Sequence, residues 1–206
     1  MNQTQIDFLA ERKVSIHHCP FATFPVDRIR ELMLAAHAAD ATTTALKNDA
    51  PALRQEYRRT QKLTMPSPLP AALDAELAAN VARVAAFYGM ERHGLQEYQW
   101  LLYRPGDYFT RHKDGSLDPA APPHVRARRV SVVTFLADAG PGRDFSGGEL
   151  ILYFKSRDGA GKEIETQATI VPVRGMVVAF PATLAHEVRP IESGVRLSAV
   201  TWLTDS

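Results

Sequence analysis

Apolar positions along the chain follow two different periods. Up to about residue 90 they recur at steps of three and four, and from Leu95 onward at steps of two. Residues 1–24 read as a short strand or loop. Pro25 then starts a predicted helix at Val26, with Ile29, Leu32, Met33 and Ala36 as its apolar stripe; it fades into Asp40–Thr44, a run poor for helix. Pro70 opens a clearer helix that carries Leu73, Leu77, Val81, Val84 and Tyr88 on one face, with Gly89 placed to stop it. Between the two helices lies the polar stretch 45–65, in which Arg54, Arg58, Arg59 and Lys62 fall at helical spacing. It has two readings, a solvated face with Glu56 nearby or an anion-binding rim for a substrate. Pro66, Pro68 and Pro70 break the chain after it.

Beyond Leu95 the pattern predicts strands. Glu97–Tyr103 is apolar on both faces in its second half, so it is covered on both sides. Pro105-Gly106 turns the chain into a strand over Asp107–Asp114, and the three prolines of 115–128 make a long loop. Further strands are Val130–Leu136, Glu149–Phe154 after Gly147-Gly148, Glu165–Val171, Gly175–Phe180, His186–Ile191 and Val195–Leu203, with a hairpin tip at Arg157–Lys162. About seven or eight short strands at this spacing indicate a sandwich, barrel or jelly roll. The expected organisation is a single domain over 1–206, with 1–96 a helical N-terminal support region and 97–206 the β core.

Composition narrows the function classes. The 206 residues are 45% hydrophobic and 23% charged, as in ordinary globular proteins. A net charge of +1 supplies no basic field to hold nucleic acid. No apolar run approaches the ~18–20 residues that cross a bilayer, so no membrane partner is expected. The N-terminus lacks the basic and apolar regions of a signal peptide, and the lone Cys19 suits a reducing cytoplasm, the expected location.

The candidate chemistry centres on His112-Lys113-Asp114. Alternate side chains of an extended chain share a face, so this imidazole and carboxylate converge. His186 as a third ligand would complete the two-histidine, one-carboxylate facial triad of non-haem Fe(II) oxygenases. Arg196 lies inside an apolar strand pattern and shares its face with Ser198, Val200 and Trp202. A guanidinium buried there needs an anion, and a carboxylate fits it bidentately. Ser198 can add a hydrogen bond. His17-His18-Cys19 point to opposite faces of a strand and read as packing or surface residues. His124, in the Pro-rich loop, reads as a surface residue in preference to a ligand.

From about Tyr98 to Ser206 the chain resembles the Fe(II)- and 2-oxoglutarate-dependent dioxygenases of the prolyl 4-hydroxylase-like group, and the bacterial PKHD-type hydroxylases among them. The resemblance lies in Tyr103-Arg-Pro-Gly-Asp-Tyr108, His112-Lys-Asp114, Ser146-Gly-Gly-Glu-Leu150, Gly175, Phe180-Pro181, His186-Glu-Val, and Arg196 followed by Trp202. It implies a double-stranded β-helix (jelly-roll) core packed by the N-terminal helices. It implies that His112, Asp114 and His186 bind Fe(2+), that Arg196 binds the distal carboxylate of 2-oxoglutarate, and that Tyr103 and Trp202 line the site. L-ascorbate is a further candidate cofactor. Phe135 stands where several prolyl hydroxylases place a tyrosine that contacts the co-substrate, so Tyr103, Ser131 or Ser198 would have to compensate. Tyr108, Thr110 and Arg104 flank the metal strand, as substrate contacts or as packing.

The implied activity is hydroxylation of an aliphatic C–H on a prolyl or other amino-acid side chain, with O2 consumed and succinate and CO2 as co-products. The alternatives are the same chemistry on a free amino acid or other small metabolite, and a cupin-like metal-binding protein without oxygenase activity. Intact His112, Asp114, His186 and Arg196 argue against the last. An Asp at 114, where halogenating relatives carry a small residue, implies hydroxylation or demethylation. The second downstream arginine of nucleic-acid dealkylases is absent after Arg196.

Overall fold

The computed structural model describes residues 2–18, 26–43, 57–65 and 71–205. Cys19, Pro25, Arg54, Glu56 and the prolines at 66, 68 and 70 lie outside these residues. The elements run α1 (Gln3–Glu11), β1 (Ser15–His18), α2 (Val26–Thr43), β2 (Arg58–Arg59), β3 (Gln61–Leu63), α3 (Ala71–Phe87), β4 (Gly94–Leu95), β5 (Gln99–Tyr103) and β6 (Tyr108–His112). They continue as α4 (Pro123–Arg126), β7 (Arg128–Phe135), β8 (Phe145–Gly147), β9 (Leu150–Arg157), β10 (Glu163–Ile170), β11 (Met176–Pro181), β12 (Ala185–Val188), β13 (Ile191–Gly194) and β14 (Arg196–Thr204).

Antiparallel strands build a jelly roll. The larger sheet has the order β1-β11-β7-β14-β5-β3, with β4 also paired to β14. The smaller sheet has the order β10-β9-β12-β6-β2, and β13 pairs β8 beside them. Period-two alternation splits β7 and β11 of the larger sheet between two apolar clusters. Trp100, Leu102, Val130, Val132, Leu197 and Ala199 pack with Ile29 and Met33 of α2 and Leu77, Val81 and Val84 of α3. Val133, Phe135, Val178 and Phe180 face the other way, toward Leu150, Leu152 and Phe154 of the smaller sheet. Each such side chain removed from water contributes about 1.5–3 kcal/mol, which is why two amphipathic helices suffice to cover the outer face.

Among the described residues of 1–96, short strands accompany the helices. The helically spaced Arg58, Arg59 and Lys62 lie on two of them: β2 pairs with β6 and β3 with β5. Extended neighbours to pair with override a weak helical period. Residues Gln3–Glu11 form a helix that the apolar pattern did not announce, because its signal is polar: Asn2 and Gln5 make a reciprocal capping box. β1 adds to the edge of the larger sheet against β11. A short helix, α4, interrupts the predicted loop 115–128.

Two glycines in the left-handed region show different constraints. Gly89 (φ +65°) ends α3 as expected, with Met90 N–H donating to the Ala85 carbonyl and Gly89 N–H to that of Ala86, and a Cβ there would meet nothing within 4 Å. Gly148 (φ +67°) is enclosed: a Cβ would lie 2.4 Å from Ile191 Cδ1 and 3.1 Å from Arg196 Cδ. We predict that Gly89→Ala costs about 1 kcal/mol, the backbone cost alone, and Gly148→Ala about 3 kcal/mol or more, because overpacking adds to it. Chemical denaturation of both variants checks the difference; equal losses would refute it.

Candidate metal and co-substrate site

β6 and β12 are antiparallel neighbours, and their register pairs His112 directly with His186. Cross-strand partners share a face, which puts the two imidazole centroids 4.2 Å apart. Asp114 lies two residues past His112, just beyond the strand end, and turns its carboxylate between the rings. Its Oδ1 is 3.5 Å from His112 Nε2 and its Oδ2 is 3.5 Å from His186 Nε2. Ligands about 2.0–2.2 Å from one ion, at right angles, stand about 3 Å apart, so the three atoms fit a single small divalent metal.

Hydrogen bonding fixes which imidazole nitrogens face that point. His112 Nδ1 is 2.7 Å from the Thr110 carbonyl and His186 Nδ1 is 2.9 Å from the Leu184 carbonyl. A carbonyl only accepts, so each Nδ1 carries the proton and each Nε2 presents a lone pair toward Asp114. Phe109 stacks on His112 at 3.4 Å and Phe180 meets His186 edge-on at 4.7 Å, which holds both rings. Ser131 Oγ donates to Asp114 Oδ2 at 2.7 Å, and Arg128 Nη1 donates to the Asp114 main-chain carbonyl at 3.2 Å. Burial alone would raise the Asp114 carboxyl, but His112, His186 and the Ser131 hydroxyl outweigh it and hold it well below the usual carboxylate range. Burial pushes His186 down to about 4, helped by the neighbouring His112. Lone pairs converging on one point with no proton among them favour a cation there.

Arg196 sits across the same cavity of about 230 Å³. It is 2% exposed and is the register partner of Tyr103 on β5. Its Nη1 donates to Ser198 Oγ at 3.2 Å, and its guanidinium carbon lies 4.9 Å from the Tyr103 ring and 5.3 Å from the Phe135 ring. Its Nε is buried without a hydrogen-bond partner, and among the described residues no carboxylate pairs with it. A buried cation left in this state calls for an anion, and a dicarboxylate that also reached the metal ligands would supply it.

Of the residues singled out in the sequence, His112, Asp114, His186, Tyr103, Arg196, Ser198 and Trp202 all line this one cavity. Ser131 does not compensate for Phe135, because its hydroxyl is committed to Asp114. Tyr108 and Arg104 are not among the lining residues. Tyr108 pairs with Arg59 at the start of β6, and Arg104, one position past Tyr103, is exposed, as side-chain alternation requires. His124 is exposed and outside the ligand cluster. Tyr57, Gln99, Lys113 and Arg128 also line the cavity and were not foreseen there; Arg58 was, as one of two readings.

In a jelly-roll frame, such a donor set beside an unpaired buried guanidinium is the arrangement of the non-haem iron oxygenases that use a 2-oxo diacid. Residues 98–204 match the model of the 2OG-Fe(II) oxygenase superfamily, and the chain belongs to that superfamily. It is 30% identical over 167 residues to a PKHD-type hydroxylase from Paraburkholderia xenovorans, covering 80% of this chain and 65% of that protein. The chain thus spans just under two thirds of that relative's length. A PKHD-type hydroxylase from Burkholderia ambifaria is 30% identical over 193 residues, covering 90% of this chain and 77% of the relative. Among solved structures, a Pseudomonas putida prolyl-4-hydroxylase superposes with a TM-score of 0.64 at 27% identity, covering 98% of each chain.

The depressed His186 gives a pH prediction for the metal-free protein. Its folded value of about 4 lies below the ordinary 6.5, so the unfolded chain binds more protons between them. Stability is therefore full above pH ~6.5 and falls as pH drops toward ~4, by on the order of 3 kcal/mol. Denaturant titrations across this window should show the loss, and His186→Asn should flatten it; an unchanged slope in that variant would refute the assignment.

Proposed function

We propose that the protein is an Fe(II)- and 2-oxoglutarate-dependent hydroxylase acting on an aliphatic C–H of a prolyl or other amino-acid side chain, with succinate and CO2 as co-products. The observation that carries this is the pairing, in one cavity, of the His112–Asp114–His186 lone pairs with a buried arginine that has no anion among the described residues. His112, Asp114 and His186 would hold Fe(2+), and Arg196 with Ser198 would hold the distal carboxylate of 2-oxoglutarate. Ferrous iron with this co-substrate supplies the oxidising chemistry that activates O2 toward a C–H bond.

The chain's own residues do the rest. The Thr110 and Leu184 carbonyls keep the imidazoles in the metal-binding tautomer. Ser131 and Arg128 fix Asp114 from its side chain and its backbone. Arg196 orients the diacid through a charge-assisted contact strengthened by burial, while Tyr103 and Phe135 keep water from the guanidinium. Trp202 lines the same cavity with its ring under the Arg128 guanidinium. We take 1–206 as a single domain, since β1–β4 enter the sheets that the later strands build. Among the described residues no helix is long and apolar enough to cross a membrane, and the lone Cys19 supports a reducing cytoplasm as the compartment.

Anaerobically prepared protein given Fe(II), 2-oxoglutarate, L-ascorbate and then oxygen is predicted to release succinate, and His112→Ala and His186→Ala to release none above background. Wild-type turnover in those variants would end the metal assignment. Arg196→Ala should weaken 2-oxoglutarate binding by about 2–4 kcal/mol, the scale of breaking a buried charged contact. An unchanged co-substrate requirement would count against its role.

A further inference from the structure

Three more cations line the cavity, half-buried or exposed where Arg196 is fully buried: Arg58, Lys113 and Arg128. Arg58, on β2, lies 4.7 Å over the Phe109 ring, and its Nε is buried without a partner. Arg128, at the start of β7, lies 3.5 Å over the Trp202 ring, with its Nε donating to Gln96 Oε1 at 2.9 Å. Lys113 stands exposed between the two ligands of β6 and its extension. Among the described residues none of the three is ion-paired. Neighbouring cations outside this cavity are spent on carboxylates: Arg111 on Glu165, Lys155 on Glu163 and Arg189 on Glu187. Asp114 is the only carboxylate among the described lining residues.

Charge accounting makes this surplus informative. A divalent metal with one carboxylate and neutral imidazoles, plus a dicarboxylate on Arg196, leaves the deep half of the cavity neutral. Among the described residues, the rest of the lining keeps three cations against no further carboxylate. Cations of one sign along a cleft with low-dielectric walls focus their field on whatever enters. The room is small. About 230 Å³ is below the ~300–1,000 Å³ of common ligand pockets, so a co-substrate leaves space for one modest group.

We propose that the substrate carries a carboxylate close to the carbon it presents for hydroxylation, and that Arg58, Lys113 and Arg128 receive that carboxylate at the mouth. This rests on the hydroxylase reading above and names its substrate class. The bland reading, that each cation only braces the fold, accounts in part for Arg128, which holds Asp114. It leaves Lys113 and the buried Arg58 Nε without a task. The carboxylate has two possible sources, the α-carboxylate of a free amino acid and an acidic residue beside the target in a peptide.

The test uses protein loaded with Mn(II) and 2-oxoglutarate under argon, where nothing turns over and binding is read by calorimetry. One arm compares free L-amino acids with their amides; the other compares prolyl peptides flanked by Asp with the same peptides carrying Asn. In at least one arm the acidic members should bind about tenfold more tightly than their neutral partners. That preference should shrink severalfold in Arg58→Gln and in Lys113→Gln, and also with added salt. The arm that shows it identifies the source. If 2-oxoglutarate itself fails to bind the wild type, the hydroxylase reading falls and this inference with it. If 2-oxoglutarate binds but neither arm shows acid preference, or the two variants retain it in full, only this inference is overturned.

Discussion

A guanidinium sealed in a β-sheet, with no counter-ion among the described residues, is the constraint on which the rest depends. Moving one ion out of water costs several kcal/mol even after the protein relaxes around it. Arg196 imposes that cost on β14, a central strand hydrogen-bonded to β5 and β7 on its two sides. The sheet tolerates it because the outer face of the same strand, Leu197, Ala199 and Leu203, is packed against helices α2 and α3. The helical half of the chain can thus be read as what lets a strained charge sit in the middle of the core.

The cavity has opposite needs at its two ends. At one end, lone pairs of two fixed imidazoles and a carboxylate crowd together with no hydrogen between them. At the other, the Nε donor of a buried cation lacks an acceptor. Neither end is at its best in the bare chain, and each asks for a guest of the charge the other would reject. A dication bridged to a diacid meets both demands, which is why two weak signals make one strong reading.

Much of this was legible in the sequence because it follows from period two. Arg196, Ser198 and Trp202 share a face of β14, and His112 with Asp114, expected on one strand, converge although β6 ends at His112; all of them reach one cavity. The pairing of His112 with His186 was not derivable from spacing, since register is set by partners far apart in the chain. Family likeness supplied it. The role of Ser131 was misjudged for the same reason: its nearness to Asp114 depends on where β7 lies relative to β6. The strands over 58–63 were not legible because two- and three-residue strands carry almost no periodic signal of their own. The capping box of α1 is written in polar residues, which an apolar period does not register.

That His112 and His186 are rungs of one ladder has a consequence for synthesis of the protein. The ribosome makes β6, with its imidazole and carboxylate, well before β12 and β14 exist. A nascent chain at that point can pair β6 with β2 but lacks its β12 neighbour, so it holds His112 and Asp114 without His186 or Arg196. Both halves of the cavity are complete only once β12 and β14 have joined their sheets. On the proposed reading, metal chemistry would be withheld from the growing polypeptide until the walls that contain it are in place.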